Sequence, residues 1–98
     1  MTINQTKNGD SLVVALEGRL DTTTSPELEA ALRSELESVS ALEIDLAKLD
    51  YISSAGLRVL LSAQKAMSKR GSMKVTHVSA DIMDIFEVTG FSDILTIE

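Results

Sequence analysis

The sequence predicts one α/β domain with a central mixed sheet that contains parallel strands. Three observations predict it. Short apolar strand patterns alternate with longer helical ones in the order β-β-α-β-α-β-α-β. Each predicted strand–helix–strand run implies a crossover between parallel strands. The chain has 98 residues and is 44% hydrophobic, which suits one core. No linker, repeat or low-complexity tract divides it, so residues 1–98 read as a single domain.

The first strand is predicted over Thr2 to Thr6, and Asn8-Gly9 offers the positive φ of a tight hairpin. The second strand carries Leu12, Val14 and Leu16 on one face and Val13 and Ala15 on the other. Apolar residues on both faces predict a strand covered on both sides, ending at Gly18. A helix is predicted to start near residue 25. Ser25 before Pro26 suggests an N-cap, and Thr24 with Glu27 offers a competing capping box. Leu28, Ala31, Leu32, Leu36 and Val39 form its apolar stripe.

Leu42 to Leu46 alternates as a strand. A serine turn then leads into a helix from about Ser54 to Arg70, closed by Gly71. Leu57, Leu60, Leu61 and Met67 face its core, and Arg58, Ser62, Lys65 and Lys69 its outer side. Met73 to Val78 reads as a strand, Ser79 as the cap of a short helix stopping near Gly90, and Phe91 to Ile97 as a final strand.

Composition removes several function classes. A net charge of -6 argues against nucleic acid and against an anionic membrane surface. The opening residues lack the apolar core of a signal peptide, and no window approaches a membrane span. A soluble cytoplasmic protein is expected. Cysteine is absent, which excludes disulfides and thiolate metal sites. His77 is the only histidine, so no metal site is expected, and a structural histidine is the simpler reading. A serine hydrolase would need His77 beside Ser53 or Ser54, and no nucleophile-elbow motif supports that. No glycine-rich phosphate loop is present, so no cofactor is expected.

Two turns remain, Gly18-Arg19-Leu20-Asp21-Thr22 and Asp50-Tyr51-Ile52-Ser53-Ser54-Ala55-Gly56. Each follows a strand and leads toward a helix. Both are therefore expected at one edge of the sheet, where α/β proteins meet ligands and partners. A hydroxyl at a helix N-terminus is either a cap or an acceptor for a phosphoryl group. By the residues alone, Ser54 reads first as a cap.

These residues carry a resemblance. Gly18-Arg19-Leu20-Asp21 is similar to a Gly-Glu-Leu-Asp type turn. Ser53-Ser54-Ala55-Gly56-Leu57-Arg58 is similar to an Asp-Ser-Ser/Thr-Gly-Leu-Gly turn. Phe86-Glu87-Val88-Thr89-Gly90-Phe91 is similar to a Phe-x-x-Thr/Ser-Gly-Phe/Leu stretch. In this order and spacing, over nearly the whole chain, they resemble the STAS domain in its bacterial anti-sigma factor antagonist branch. The resemblance implies a STAS-type fold and a binding protein rather than an enzyme. It implies phosphorylation at Ser54, with Ser53 a weaker candidate. The implied partners are an anti-sigma factor with serine kinase activity and a metal-dependent serine phosphatase, to which ATP and metal belong. Partner contacts are expected from Asp21, Thr22, Thr23, Ser53, Ser54, Gly56 and Arg58. Here Ser53 replaces the family's Asp, Ala55 its Ser/Thr and Arg58 its second glycine. The alternatives are a STAS adaptor or scaffold without a phosphorylation cycle and, from another class, the hydrolase above.

Overall fold

The computed structural model describes residues 1–98. Four strands form one sheet in chain order: β1 (Thr2–Asn8), β2 (Ser11–Leu20), β3 (Ala41–Ile52) and β4 (Ser72–Thr76). β1 pairs antiparallel with β2 through the two-residue Gly9-Asp10 turn, while β2–β3 and β3–β4 are parallel. Helix α1 (Ser25–Glu35) crosses from β2 to β3 and α2 (Ser54–Ser68) from β3 to β4. Helix α3 (Ala80–Thr89) follows β4. The mixed α/β architecture is the one expected.

Both crossovers step in the same direction along the sheet. With the same hand, they place α1 and α2 on the same face. That face holds the core. Leu12, Val14 and Leu16 of β2 and Leu42, Ile44 and Leu46 of β3 are buried with Leu28, Leu32, Leu60, Met67, Ile82 and Phe86 of the helices. The second face of β2 is not covered as expected. Val13 and Ala15 are half-buried, and their neighbours on β3 are Glu43 and Asp45. Val13 satisfies strand preference and Ala15 is small enough to lie beside Asp45, so neither needs a second core.

Other expectations are corrected at element ends. β2 runs past Gly18 to Leu20, because Gly18 (φ 105) lies at a register shift, the bulge position an L-residue with a side chain resists. β3 is far longer than Leu42 to Leu46. The irregular register opposite β2 breaks its alternation, so the next buried residues are Leu49 and Ile52, each three apart. Met73 to Val78 shortens to Ser72–Thr76, because His77 turns out of the strand at φ 56.

The final strand is absent. Gly90 adopts a left-handed conformation, Phe91–Asp93 forms a 3-10 turn, and only Ile97 bridges β4, at Val75. Helix α1 has Thr24 at the N-cap position without a side-chain cap, so neither Ser25 nor the Thr24/Glu27 box performs that role. Ser25 is buried, with its hydroxyl on the Asp21 carbonyl. On α2, Leu57, Leu60 and Met67 are buried and Leu61 half-buried, while Arg58, Ser62, Lys65 and Lys69 are exposed as expected.

Candidate functional site at the sheet edge

The ends of β2 and β3 set the site. Leu20 pairs with Ile52, and the Ser53 N–H then bonds the Leu20 carbonyl at 2.9 Å. This extra rung holds the two turns side by side at one sheet edge. It places Asp21, Thr22 and Thr23 at the same sheet edge as the start of α2, although about thirty residues separate them in the chain.

The first turn is organised by Asp21. Its carboxylate accepts from the N–H groups of Thr23 (3.0 Å) and Thr24 (3.1 Å). The Thr24 hydroxyl accepts from the Asp21 N–H at 2.9 Å and donates to the Arg19 carbonyl at 2.8 Å. Asp21, three residues upstream of the N-cap position, thus fixes the turn that leads into α1 rather than capping the helix itself. The Thr24 N–H first, then Thr23 and the Arg19 guanidinium 3.9 Å away, hold the Asp21 carboxyl below the ordinary carboxylate range, against the opposing effect of desolvation. Thr22 and Thr23 are exposed. Sequence reasoning missed Tyr51, an exposed aromatic whose ring lies 4.4 Å from the Arg19 guanidinium carbon. The available signal was the alternation that puts Tyr51 on the face opposite Ile52.

The second turn separates its two serines. Ser53 has extended backbone angles (φ -99, ψ 175) and its hydroxyl accepts from the Gly56 N–H at 3.5 Å, so Ser53 is the N-cap. Ser54 is the first helical residue. Its side chain is exposed and has no hydrogen-bond partner within the chain. The reading of Ser54 as a cap is therefore corrected. Gly56 is buried: a Cβ there would stand 2.7 Å from Leu20 Cγ and 2.9 Å from Ile52 Cγ1. The glycine lets α2 start against the strand ends, which presents Ser54 outward.

Arg58 is exposed one turn after Ser54. Arg19 pairs with Asp21, Arg33 with Glu29 at 2.6 Å, and Arg70 donates to the Glu37 carbonyl at 3.4 Å. Among the four arginines Arg58 alone has no such partner. Together with Thr22, Pro26 and Ala55 it lines the mouth of a cleft of about 580 Å³ between α1 and α2. The cleft continues over Leu32, Leu36, Val59 and Ala63.

His77 lies elsewhere. Its Nδ1 is 3.1 Å from Asp45 Oδ1, on the sheet face away from the helices. Asp45 precedes Ser53 by eight residues of strand, roughly 26 Å at strand rise. A Ser-His-Asp triad with Ser53 or Ser54 is thus out of reach. The donor atoms of Glu43, Asp45 and His77 lie within 4.8 Å of one another, the spacing of a metal site. Glu43 is already engaged, by the Thr76 hydroxyl at 2.8 Å and by Lys74 Nζ at 3.9 Å.

Comparison with known proteins agrees with this geometry. The family profile described as Mlab, STAS domain matches residues 3–96. The anti-sigma-B factor antagonist of Listeria monocytogenes is 32% identical, over 94% of this chain and 82% of its own. The crystal structure of an anti-sigma factor antagonist from Mycobacterium paratuberculosis superposes with a TM-score of 0.88 at 25% identity, over 98% of this chain and 83% of that one. The phosphorylated form of the Bacillus cell fate determinant SpoIIAA shares the fold, with a TM-score of 0.78 at 15% identity, over 99% of this chain and 91% of that one. With the profile spanning nearly every residue and both turns built at one sheet edge, the chain belongs to the STAS domain family, in its anti-sigma factor antagonist branch.

Proposed function

We propose that this protein binds an anti-sigma factor that is also a serine kinase, and that phosphorylation of Ser54 ends the binding. Docking of the unmodified protein frees a sigma factor for transcription. The observation that carries the reading is the Ser54 hydroxyl, exposed and unpartnered while its neighbour Ser53 does the capping. In the reaction, Ser54 Oγ attacks the γ-phosphorus of ATP held by the kinase. The new O–P bond replaces the β–γ bridge, ADP leaves, and the hydroxyl proton passes to the kinase or solvent. A metal-dependent phosphatase restores the hydroxyl by hydrolysis: water attacks the phosphorus, the Ser54 Oγ–P bond breaks, and inorganic phosphate leaves. The protein itself is a cytoplasmic binding partner, not an enzyme, and no helix is long and apolar enough to cross a membrane.

A phosphate adds about -1.5 to -2 charges. At the first residue of α2 that charge suits the helix dipole, so the fold tolerates it. At an interface fitted to a neutral hydroxyl it adds bulk and a desolvation penalty, so affinity falls. The contact surface in this reading spans Asp21, Thr22, Thr23, Ser53, Ser54 and Arg58, with Gly56 acting from below by setting the helix position.

The test is incubation with the cognate kinase and ATP, followed by peptide mapping. One phosphate on Ser54 is expected. Phosphate on Ser53 alone, or none with a kinase shown to bind, overturns the assignment. Ser53 and Ala55 depart from the family turn, and this favours the second reading, a STAS adaptor with no phosphorylation cycle. A stable complex with an unmodified chain in cell extracts would support it.

A further inference from the structure

The positive group nearest along the helix to the Ser54 hydroxyl belongs to this chain. Ser54 and Arg58 are four residues apart on α2, both exposed, and such pairs are neighbours on a helix surface. Helical side chains lean toward the N-terminus, so the long Arg58 side chain extends back over the first turn, where Ser54 lies. Its guanidinium has no competing carboxylate within the chain, unlike Arg19 and Arg33. A planar fork of donors without a partner is suited to a phosphate one turn away.

We propose that Arg58 is an internal clamp for phosphate on Ser54, holding the modified side chain against its own helix. The clamp rests on the phosphorylation reading above and adds to it a second effect of the modification. Arg58 lines the mouth of the α1–α2 cleft in the unmodified chain. Drawn onto the phosphate, its guanidinium leaves that mouth. Phosphorylation thus alters two parts of the surface: it adds charge at Ser54 and withdraws charge from the cleft. A partner carboxylate that pairs with Arg58 in the unmodified state loses its counterion at the same moment.

The experiment needs neither kinase nor partner. Phosphoserine is installed at position 54 during translation, and the second phosphate ionisation is followed by phosphorus NMR against pH. A nearby cation favours the dianion, so Arg58 lowers this pKa below its usual value of about 6. Arg58→Gln should raise it by about half a unit, a roughly threefold change in proton affinity, as for an exposed ion pair. Lys65→Gln removes the same charge from the same face of α2 but about 16 Å along the helix from Ser54, and should leave the value nearly unchanged. Equal shifts in both variants, or no shift in either, overturn the clamp. Failure of any kinase to modify Ser54 would instead overturn the phosphorylation reading and leave the NMR result intact.

Discussion

The two turns at the sheet edge use the same raw material differently. The Asp21 turn directs its polar groups inward: the carboxylate serves two backbone N–H groups, the Thr24 hydroxyl bridges Arg19 and Asp21, and Ser25 is buried. The Ser53 turn directs one hydroxyl inward and leaves the next free. The first is a brace and the second a brace with an unoccupied group beside it. The two turns are alike in polarity and differ at the first helical residue, where the Ser25 hydroxyl has a partner within the chain and the Ser54 hydroxyl has none.

Three experiments can break or sharpen this contrast. The largest effect is expected at Gly56, on which both turns depend. Gly56→Val drives a branched side chain into Leu20 and Ile52, and overpacking should lower stability by about 3 kcal/mol. Urea denaturation measures it. A midpoint within error of the wild type would mean that α2 can shift without loss, and that the presentation of Ser54 does not rest on this contact.

A smaller effect is expected at Asp21, and it should depend on pH. The folded-state pKa is lowered, so the contribution of the carboxylate is fully present above the unfolded value of about 3.9. It disappears as pH falls through the lower, folded value. Asp21→Asn should therefore melt below the wild type at pH 7, and the gap should close in acid, beneath the ordinary carboxylate range. A gap that is constant with pH would assign the difference to something other than the charge.

The smallest effects separate the adjacent serines. Ser53→Ala removes a cap and should destabilise by about 0.5–1 kcal/mol, at the low end because its bond is long. Ser54→Ala should change stability by less than about 0.5 kcal/mol, as for an exposed residue without partners. Thermal melts of the two variants side by side decide the matter. Equal losses would erase the distinction between capping and free hydroxyl.

The sequence made the coarse site legible because strand–helix connectivity alone sends both turns to one edge. It could not assign the serines. Ser53 and Ser54 have the same chemistry, and only the backbone angles of Ser53 decide which hydroxyl reaches back to Gly56. Apolar alternation also misled at two places. It stopped at Leu46 because a register shift moves the next core residues to Leu49 and Ile52, and it suggested a strand after Phe91 where Leu95 is buried beyond a helical turn. Val13 looks like a core residue because strand propensity and core composition both favour valine, and Ala15 because alanine is common in cores. The unpaired state of Arg58 is invisible without the positions of every carboxylate around it.

Strand order equals chain order in this sheet, so each strand joins one that has just been made. Such wiring keeps loop closures short and places a domain toward the rapid end of folding for mixed α/β chains. The pairing of Leu20 with Ile52, which aligns the two turns, closes a loop of only about thirty residues. The sheet edge that carries both turns is thus among the nonlocal features that form at modest entropic cost. A newly synthesised molecule reaches its folded shape quickly, and under the function proposed above any delay in a cellular response reflects kinase and phosphatase action rather than maturation of this protein.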